Sequence, residues 1–211
     1  MFDLTLSTLL TRLVVLLPII GIYGLATAGA ARLLGDHGPA HDGRQTINPL
    51  AHLDMLGGLA FVGFGLGWMT PLAITPQKLR GGFAGVLGVM LAGTLSLFVL
   101  AAIAVLVLPH VANLTSLSAS SAIGAFLIGV CRLGIAFALF NLVPLPMLGG
   151  QYLLWLAAPR LAEWTDKYRL LIAIAMLVLV ATGLPGRIID PGAQALIRLI
   201  FQDVPVLDRG I

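Results

Sequence analysis

The sequence predicts an all-α protein that crosses a lipid bilayer several times. Its 211 residues are 59% apolar and only 10% charged, and its mean hydropathy is +1.03. A soluble domain carries about 25% charged residues, so most of this surface is suited to lipid. The apolar residues also gather into segments of about 20, the length that spans the hydrocarbon core. We therefore predict one membrane domain over 1–211, built from about five transmembrane helices.

Five apolar segments account for the predicted helices in chain order. The fourth runs into Asn141-Leu-Val-Pro144-Leu-Pro146. Because proline lacks an N–H, this stretch is expected to break the helix within or near the membrane. The tail places apolar residues beside Arg198 and Gln202, which indicates a short interfacial helix. The five segments lie at about 13–34, 56–75, 83–109, 122–143 and 170–189.

The charge pattern excludes one class of partner. The net charge of +3 comes from 12 Lys and Arg against 9 Asp and Glu, and these residues are scattered along the chain. Nucleic-acid binding needs a clustered basic surface, usually with interleaved aromatic residues, and none is present. We therefore expect the protein to contact the lipid bilayer and not to bind nucleic acid.

Two stretches carry most of the information about function. Residues 43–54 read Gly-Arg-Gln-Thr-Ile-Asn-Pro-Leu-Ala-His-Leu-Asp, and residues 140–150 read Phe-Asn-Leu-Val-Pro-Leu-Pro-Met-Leu-Gly-Gly. Between and before them lie Gly35-Asp36, Gly67-Trp68 and Ala92-Gly93-Thr94-Leu95-Ser96. In this order and spacing, the stretches resemble signatures of the site-2 protease family, the zinc metalloproteases that cut substrates inside the membrane.

The resemblance covers about 21–158 and implies a site-2-protease-like bundle with a membrane-dipping loop. That loop is residues 43–54, which we expect to lie close to the break at 144–150, because the two signatures meet around the metal in active members. Residues 159–211 would then form a C-terminal transmembrane helix and an interfacial tail.

The residues that would build the family's metal site are missing from this chain. In the family, a His-Glu-x-x-His helix supplies two zinc ligands and the general base, and here the matching stretch is Tyr23-Gly24-Leu25-Ala26-Thr27. The third ligand, an Asp, falls on Gly149. A phenol and a hydroxyl at i and i+4 are poor zinc ligands at neutral pH, and glycine offers no side chain. We therefore predict no catalytic residue, no zinc and no other cofactor, which is the pattern of a pseudoprotease.

Other polar residues are candidates for binding. Non-helical backbone at membrane depth must be shielded by protein or water, so polar side chains in the two signatures are expected mainly to brace it, or else to line a groove for an extended polypeptide. Arg132 lies about ten residues into the fourth segment, where a charge costs at least ~2.5–3.5 kcal/mol. It should snorkel, bind backbone carbonyls, or meet a partner's acid or a lipid phosphate. The full set is Arg44, Asn48, His52, Asn141 and Arg132.

Two functions remain open. The first is a catalytically inactive, multi-pass protein of the bacterial inner (cytoplasmic) membrane, which serves as an accessory or scaffold subunit of a membrane complex or binds membrane clients. The alternative is an active intramembrane metalloprotease with a metal site rebuilt from His37, His41 or His52. His37 and His41 have i,i+4 spacing, but Gly38-Pro39 makes a continuous helix there implausible and favours a solvated loop.

Overall fold

The computed structural model describes residues 5–111 and 117–201 and is almost entirely helical. The elements in these two ranges are α1 (Leu6–Leu33), α2 (Gly38–His41), α3 (Pro49–His52), α4 (Met55–Phe64), a 3-10 turn (Pro76–Lys78), α5 (Phe83–Val111), α6 (Leu117–Leu142), α7 (Gln151–Ala157), α8 (Arg160–Lys167), α9 (Arg169–Ala181) and α10 (Leu184–Ile200). An isolated antiparallel bridge joins Leu53 to Met69.

Helices α1, α5 and α6 form the frame of the molecule and pack on one another. All three are long and apolar enough to cross a membrane, and the bent pair of α9 and α10 would make a fourth crossing if it counts as one span. At 1.5 Å per residue, the 28 residues of α1 are about 42 Å long, which exceeds the hydrocarbon thickness. The predicted class, an all-α membrane protein, is confirmed.

The second predicted segment is not a continuous helix. Helix α4 has only ten residues and ends at Gly65, whose φ of 81° gives the left-handed turn that glycine adopts readily. Residues 66–75 then run in irregular backbone that is buried over 66–69 and partly buried beyond, with Trp68 only 1% exposed. The Arg12 guanidinium donates to the carbonyls of Val62 and Gly63 at 3.2 and 2.8 Å, which satisfies the open end of α4. The prediction of a helix over 56–75 is therefore wrong beyond residue 64.

The fifth predicted segment is also interrupted. Helix α9 ends at Ala181, Gly183 turns the chain with φ of 73°, and α10 leaves at 66° to α9. The predicted interfacial helix of the tail is the last part of α10, which packs on α6, while Gln202 lies outside the described residues. The assignment of 1–211 to one domain, with a core at 21–158 and a separate tail at 159–211, stays a prediction.

The predicted break after the fourth segment lies where the sequence places it. Helix α6 ends at Leu142, and residues 143–150 turn back before α7 begins at Gln151. The amide of Gly150 donates to the carbonyl of Asn141 at 2.8 Å, which closes this turn. As a result, both signatures reach the middle of α1 from different parts of the chain.

Candidate functional site

The candidate site is centred on Tyr23, in the middle of α1. Its side chain is 1% exposed and meets the ring of Phe137 on α6 edge to face, with centroids 5.5 Å apart. The Tyr23 hydroxyl lies next to Gly149, in the turn after α6. A Cβ built on Gly149 would be only 2.6 Å from the hydroxyl oxygen. The phenol therefore fills the space that a side chain at position 149 would need.

Thr27 lies one helical turn after Tyr23 on the same face of α1. Its hydroxyl donates to the Tyr23 backbone carbonyl at 2.7 Å, so its one proton is not available to the phenol oxygen. Both side chains press on α5, where a Cβ on Gly93 would lie 2.5 Å from the Thr27 hydroxyl and 2.8 Å from the Tyr23 ring. Glycine at position 93 is what allows α5 to approach α1 so closely.

Gly24 packs against the first signature. A Cβ on Gly24 would overlap the imidazole of His52, which is fully buried. The His52 Nε2–H donates to the Thr46 carbonyl at 2.8 Å, so in the neutral ring Nδ1 is an acceptor. Nδ1 has no hydrogen-bond partner within the described part of the chain. Burial lowers the pKa of His52, the hydrogen bond to Thr46 opposes this, and Arg44 adds to the lowering.

The rest of the first signature braces irregular backbone. Arg44 donates to the Thr70 carbonyl at 2.8 Å, and burial lowers its pKa. The Asn48 side chain accepts from the Leu50 amide at 3.1 Å and so caps α3. Asp54 caps α4 by accepting from the amides of residues 56 and 57. These contacts match the bracing role expected of the loop, while a binding role for Arg44, Asn48 and His52 stays a prediction.

The second signature is held by two buried amides. Asn141 is 1% exposed and donates to the carbonyls of Phe137 at 2.9 Å and Gly67 at 3.3 Å. Gln151 accepts from the amide of Met147 at 3.0 Å. Met147 adopts a φ of 71°, a left-handed conformation that is costly for a residue with a Cβ. The turn that carries Gly149 is thus held in a fixed shape by its neighbours.

A small cavity of about 10 Å³ remains between Tyr23 and the turn, which is room for one water at most. Its polar lining consists of two phenols, the Thr27 hydroxyl and two amides, and includes no carboxylate, thiolate or imidazole. No group of three His, Cys, Asp or Glu able to hold a metal occurs within 5–111 and 117–201. The donor set at this site does not fit Zn²⁺. The lining residues are Tyr23, Thr27, Met69, Pro71, Asn141, Met147, Leu148, Gly149, Gln151 and Tyr152.

The remaining candidates lie away from this centre. His37 and His41 are exposed and lie at the two ends of α2. Because residues 38–41 form one helical turn, the expectation that no helix forms there is wrong for these residues. A single turn tolerates Pro39 because the first helical amides need no partner within the helix. Arg132 is half-buried on α6 and interacts within the chain, and its proposed contact with a partner is untested.

The sequence did not reveal the hydrogen-bonding roles of Asp36 and Tyr152, which hold the site together. Asp36 is 1% exposed and accepts from the amides of Gly38 and Thr75, which ties the start of the loop to the segment before α5. The Tyr152 hydroxyl accepts from the Leu72 amide at 3.2 Å. Only the Gly35-Asp36 pair gave a signal, since a lone Tyr in an apolar run looks like ordinary core.

Sequence similarity supports the assignment made from the motifs. The chain is 32% identical over 193 residues to the "Putative zinc metalloprotease YwhC" of Bacillus subtilis (strain 168), and the alignment covers 86% of this chain and 88% of the relative. No protein-family profile and no solved structure matches the chain. The similarity extends over nearly the whole length of both proteins, and the chain belongs to the site-2-protease-like metalloprotease family that includes YwhC.

Proposed function

We propose that this protein is a catalytically inactive member of its family, which acts as an accessory or scaffold subunit of a membrane complex or binds membrane clients. One observation carries the proposal. Tyr23, Thr27 and Gly149, which match the family's three ligands, line one small cavity, and Gly24, which matches the base, packs on His52. None of the four residues carries an imidazole or a carboxylate that could bind zinc or activate water.

The surroundings of these positions also argue against simple restoration of the chemistry. A metal-bound water and a scissile peptide need an open site, whereas the Tyr23 ring leaves about 10 Å³. A carboxylate at position 24 would have to displace His52, whose ring occupies the place of a Cβ there. The centre is packed like a protein core, in which side chains fill the space and leave no room for a substrate.

The two signatures and their supporting hydrogen bonds favour the scaffold role. The bracing hydrogen bonds of Arg44, Asn48 and Asn141 maintain both signatures around an inert centre. The small residues of α1 at positions 24 and 28 are buried inside the chain and do not form a surface for a partner. The outward face of α5 is a better candidate for contact with another membrane helix, with Leu95 58% and Val99 59% exposed.

Metal analysis of the protein purified in mild detergent tests the loss of catalysis. We expect far less than one equivalent of zinc, with no change in His37→Gln, His41→Gln or the control His110→Gln, which lies at the end of α5. One equivalent of tightly held zinc that the first two variants lose and the control keeps would contradict the proposal and favour a rebuilt protease site.

The scaffold role needs its own measurement. Gentle extraction from the native membrane, followed by size determination and identification of associated proteins, should give a stable assembly larger than the single chain. A protein that is solitary after gentle extraction and after in-membrane cross-linking would overturn the scaffold role, even if the zinc result stands.

A further inference from the structure

A second, much larger concavity lies away from the Tyr23 centre. It has a volume of about 590 Å³ and opens between the loop before α4 and the junction of α8 with α9. One part of its wall is charged and the other is apolar. The lining residues are Leu53, Asp54, Met55, Leu56, Thr70, Asp166, Lys167, Arg169, Leu170 and Ala173.

The charged wall is balanced. It holds two carboxylates, Asp54 and Asp166, and two cations, Lys167 and Arg169. Arg169 and Asp54 form an ion pair through one contact of 3.5 Å, and the Arg169 side chain is 45% exposed. A guanidinium has five N–H donors, so this contact leaves most of them available to a ligand. A ligand matched to the wall would carry one negative and one positive group.

Neighbouring aromatic residues indicate the depth of this cleft relative to a membrane. On α8 and just after it, the rings of Trp164 and Tyr168 lie 5.4 Å apart, and the Lys167 ammonium lies 5.3 Å from the centroid of Tyr168. Exposed Trp and Tyr beside basic residues are typical of the headgroup level. The apolar helix α9 begins at the next residue, with Leu170 69% and Leu171 66% exposed. The charged wall therefore faces headgroups, and α9 continues toward the acyl chains.

We propose that this cleft binds a single phospholipid with an amine-bearing, zwitterionic headgroup. Lys167 and Arg169 bind the phosphate, Asp166 binds the ammonium, and an acyl chain lies along Leu170. Asp54, whose side chain is only 11% exposed, caps α4 and holds Arg169 in place. An anionic lipid without an amine would offer no counter-charge to Asp166 and would be repelled by it. This site is independent of the inactive centre, because none of its lining residues borders the Tyr23 cavity.

Native mass spectrometry of the full chain in detergent, with phosphatidylethanolamine, phosphatidylcholine or phosphatidylglycerol added singly, tests the site. We expect phosphatidylethanolamine to be retained about tenfold better than phosphatidylglycerol. Phosphatidylcholine should fall between them, because its quaternary amine cannot donate hydrogen bonds to the Asp166 carboxylate. Lys167→Gln should weaken ethanolamine-lipid binding about tenfold, and Asp166→Asn should reduce its advantage over phosphatidylglycerol.

Arg160→Gln and Glu163→Gln are the matched controls, since both residues are exposed on α8 but do not line the cleft. Neither should change lipid retention. Lys167 is an exposed residue, so its variant is expected to fold even where Arg169→Gln disturbs the cap of α4. Equal retention of the three lipids, equal loss in the controls, or displacement of the lipid by a client peptide that binds more tightly would each overturn the proposal.

Discussion

The loops around the middle of α1 and the helical segment that they enclose are stabilised in different ways. In the loops and at their helix ends, side chains such as Arg44, Asn48 and Asn141 donate to or accept from backbone groups. In the enclosed segment, the Tyr23 ring fills the space beside Gly149 and Gly93, and Gly24 makes room for His52. The first region depends on hydrogen bonds and the second on packing.

This difference indicates that the two regions meet different physical requirements. Irregular backbone inside a bundle needs hydrogen-bond partners whatever the centre contains, because lipid offers none. The centre needs only to be filled, because a void in a core forfeits dispersion contacts. A large ring opposite glycines meets that need. We therefore expect polar substitutions to be most damaging in the loops and volume changes to be most damaging in the centre.

The largest expected effect separates two asparagines. Asn141→Asp puts a buried carboxylate, or a carboxyl with one donor, against the carbonyls of Phe137 and Gly67. It should cost about 3 kcal/mol of unfolding free energy. Asn48→Asp is the control, since Asn48 uses only its oxygen to cap α3 and Asp caps equally well. Thermal unfolding in detergent should therefore show a large loss for the first variant, and equal losses would contradict the distinction.

Two glycines of α1 test the packed centre. Gly24→Ala would force a methyl group into His52 and should cost about 1–3 kcal/mol. Gly29→Ala is the control on the same helix, because a Cβ there meets nothing within 4 Å. It should be neutral or stabilise by up to about 1 kcal/mol, as alanine favours helix. Equal changes in the unfolding temperatures of the two variants would contradict the prediction that Gly24 packs on His52.

A double-mutant cycle tests the contact between Tyr23 and Gly149. Gly149→Ala places a Cβ 2.6 Å from the Tyr23 oxygen and 3.0 Å from the Asn141 carbonyl. Tyr23→Phe removes the first conflict only, so it should rescue part of the loss, with a coupling of about 1 kcal/mol. Additive effects on the unfolding free energy would show that the phenol does not occupy that space.

The smallest expected effect is a dependence of stability on pH through His52. Its pKa in the fold is lowered from 6.5, so the unfolded chain binds the proton more readily than the folded chain. The stabilisation is complete above pH 6.5 and decreases as the pH falls toward the folded-state pKa. The contribution of His52 to the unfolding temperature should be constant from about pH 8 to about pH 6.5 and should fall from there toward about pH 5. His52→Gln should remove much of that drop and His110→Gln should not. If the fall in unfolding temperature is unchanged in His52→Gln, other titratable groups cause it and the prediction is wrong.

Much of the fold and part of the site could be predicted from the order of the residues. The apolar segments that became α1, α5 and α6 are continuous in sequence, and their length is imposed by the bilayer. The break after Leu142 follows from two prolines. The family was recognisable from the two signatures, and the similarity to YwhC confirms it. The residue types at Tyr23, Gly24, Thr27 and Gly149, which include no imidazole and no carboxylate, are also read directly from the sequence.

Other features depend on contacts between residues far apart in the chain. The early end of α4 could not be read from an apolar segment, because Gly65 ends the helix and the buried backbone beyond it is accepted only inside the bundle. The overlap of Gly24 with His52 and of Gly149 with Tyr23 joins residues separated by a loop or by most of the chain. Hydropathy depends on residue type, whereas the filling of a core and the charge balance of a cleft depend on which residues the fold brings together.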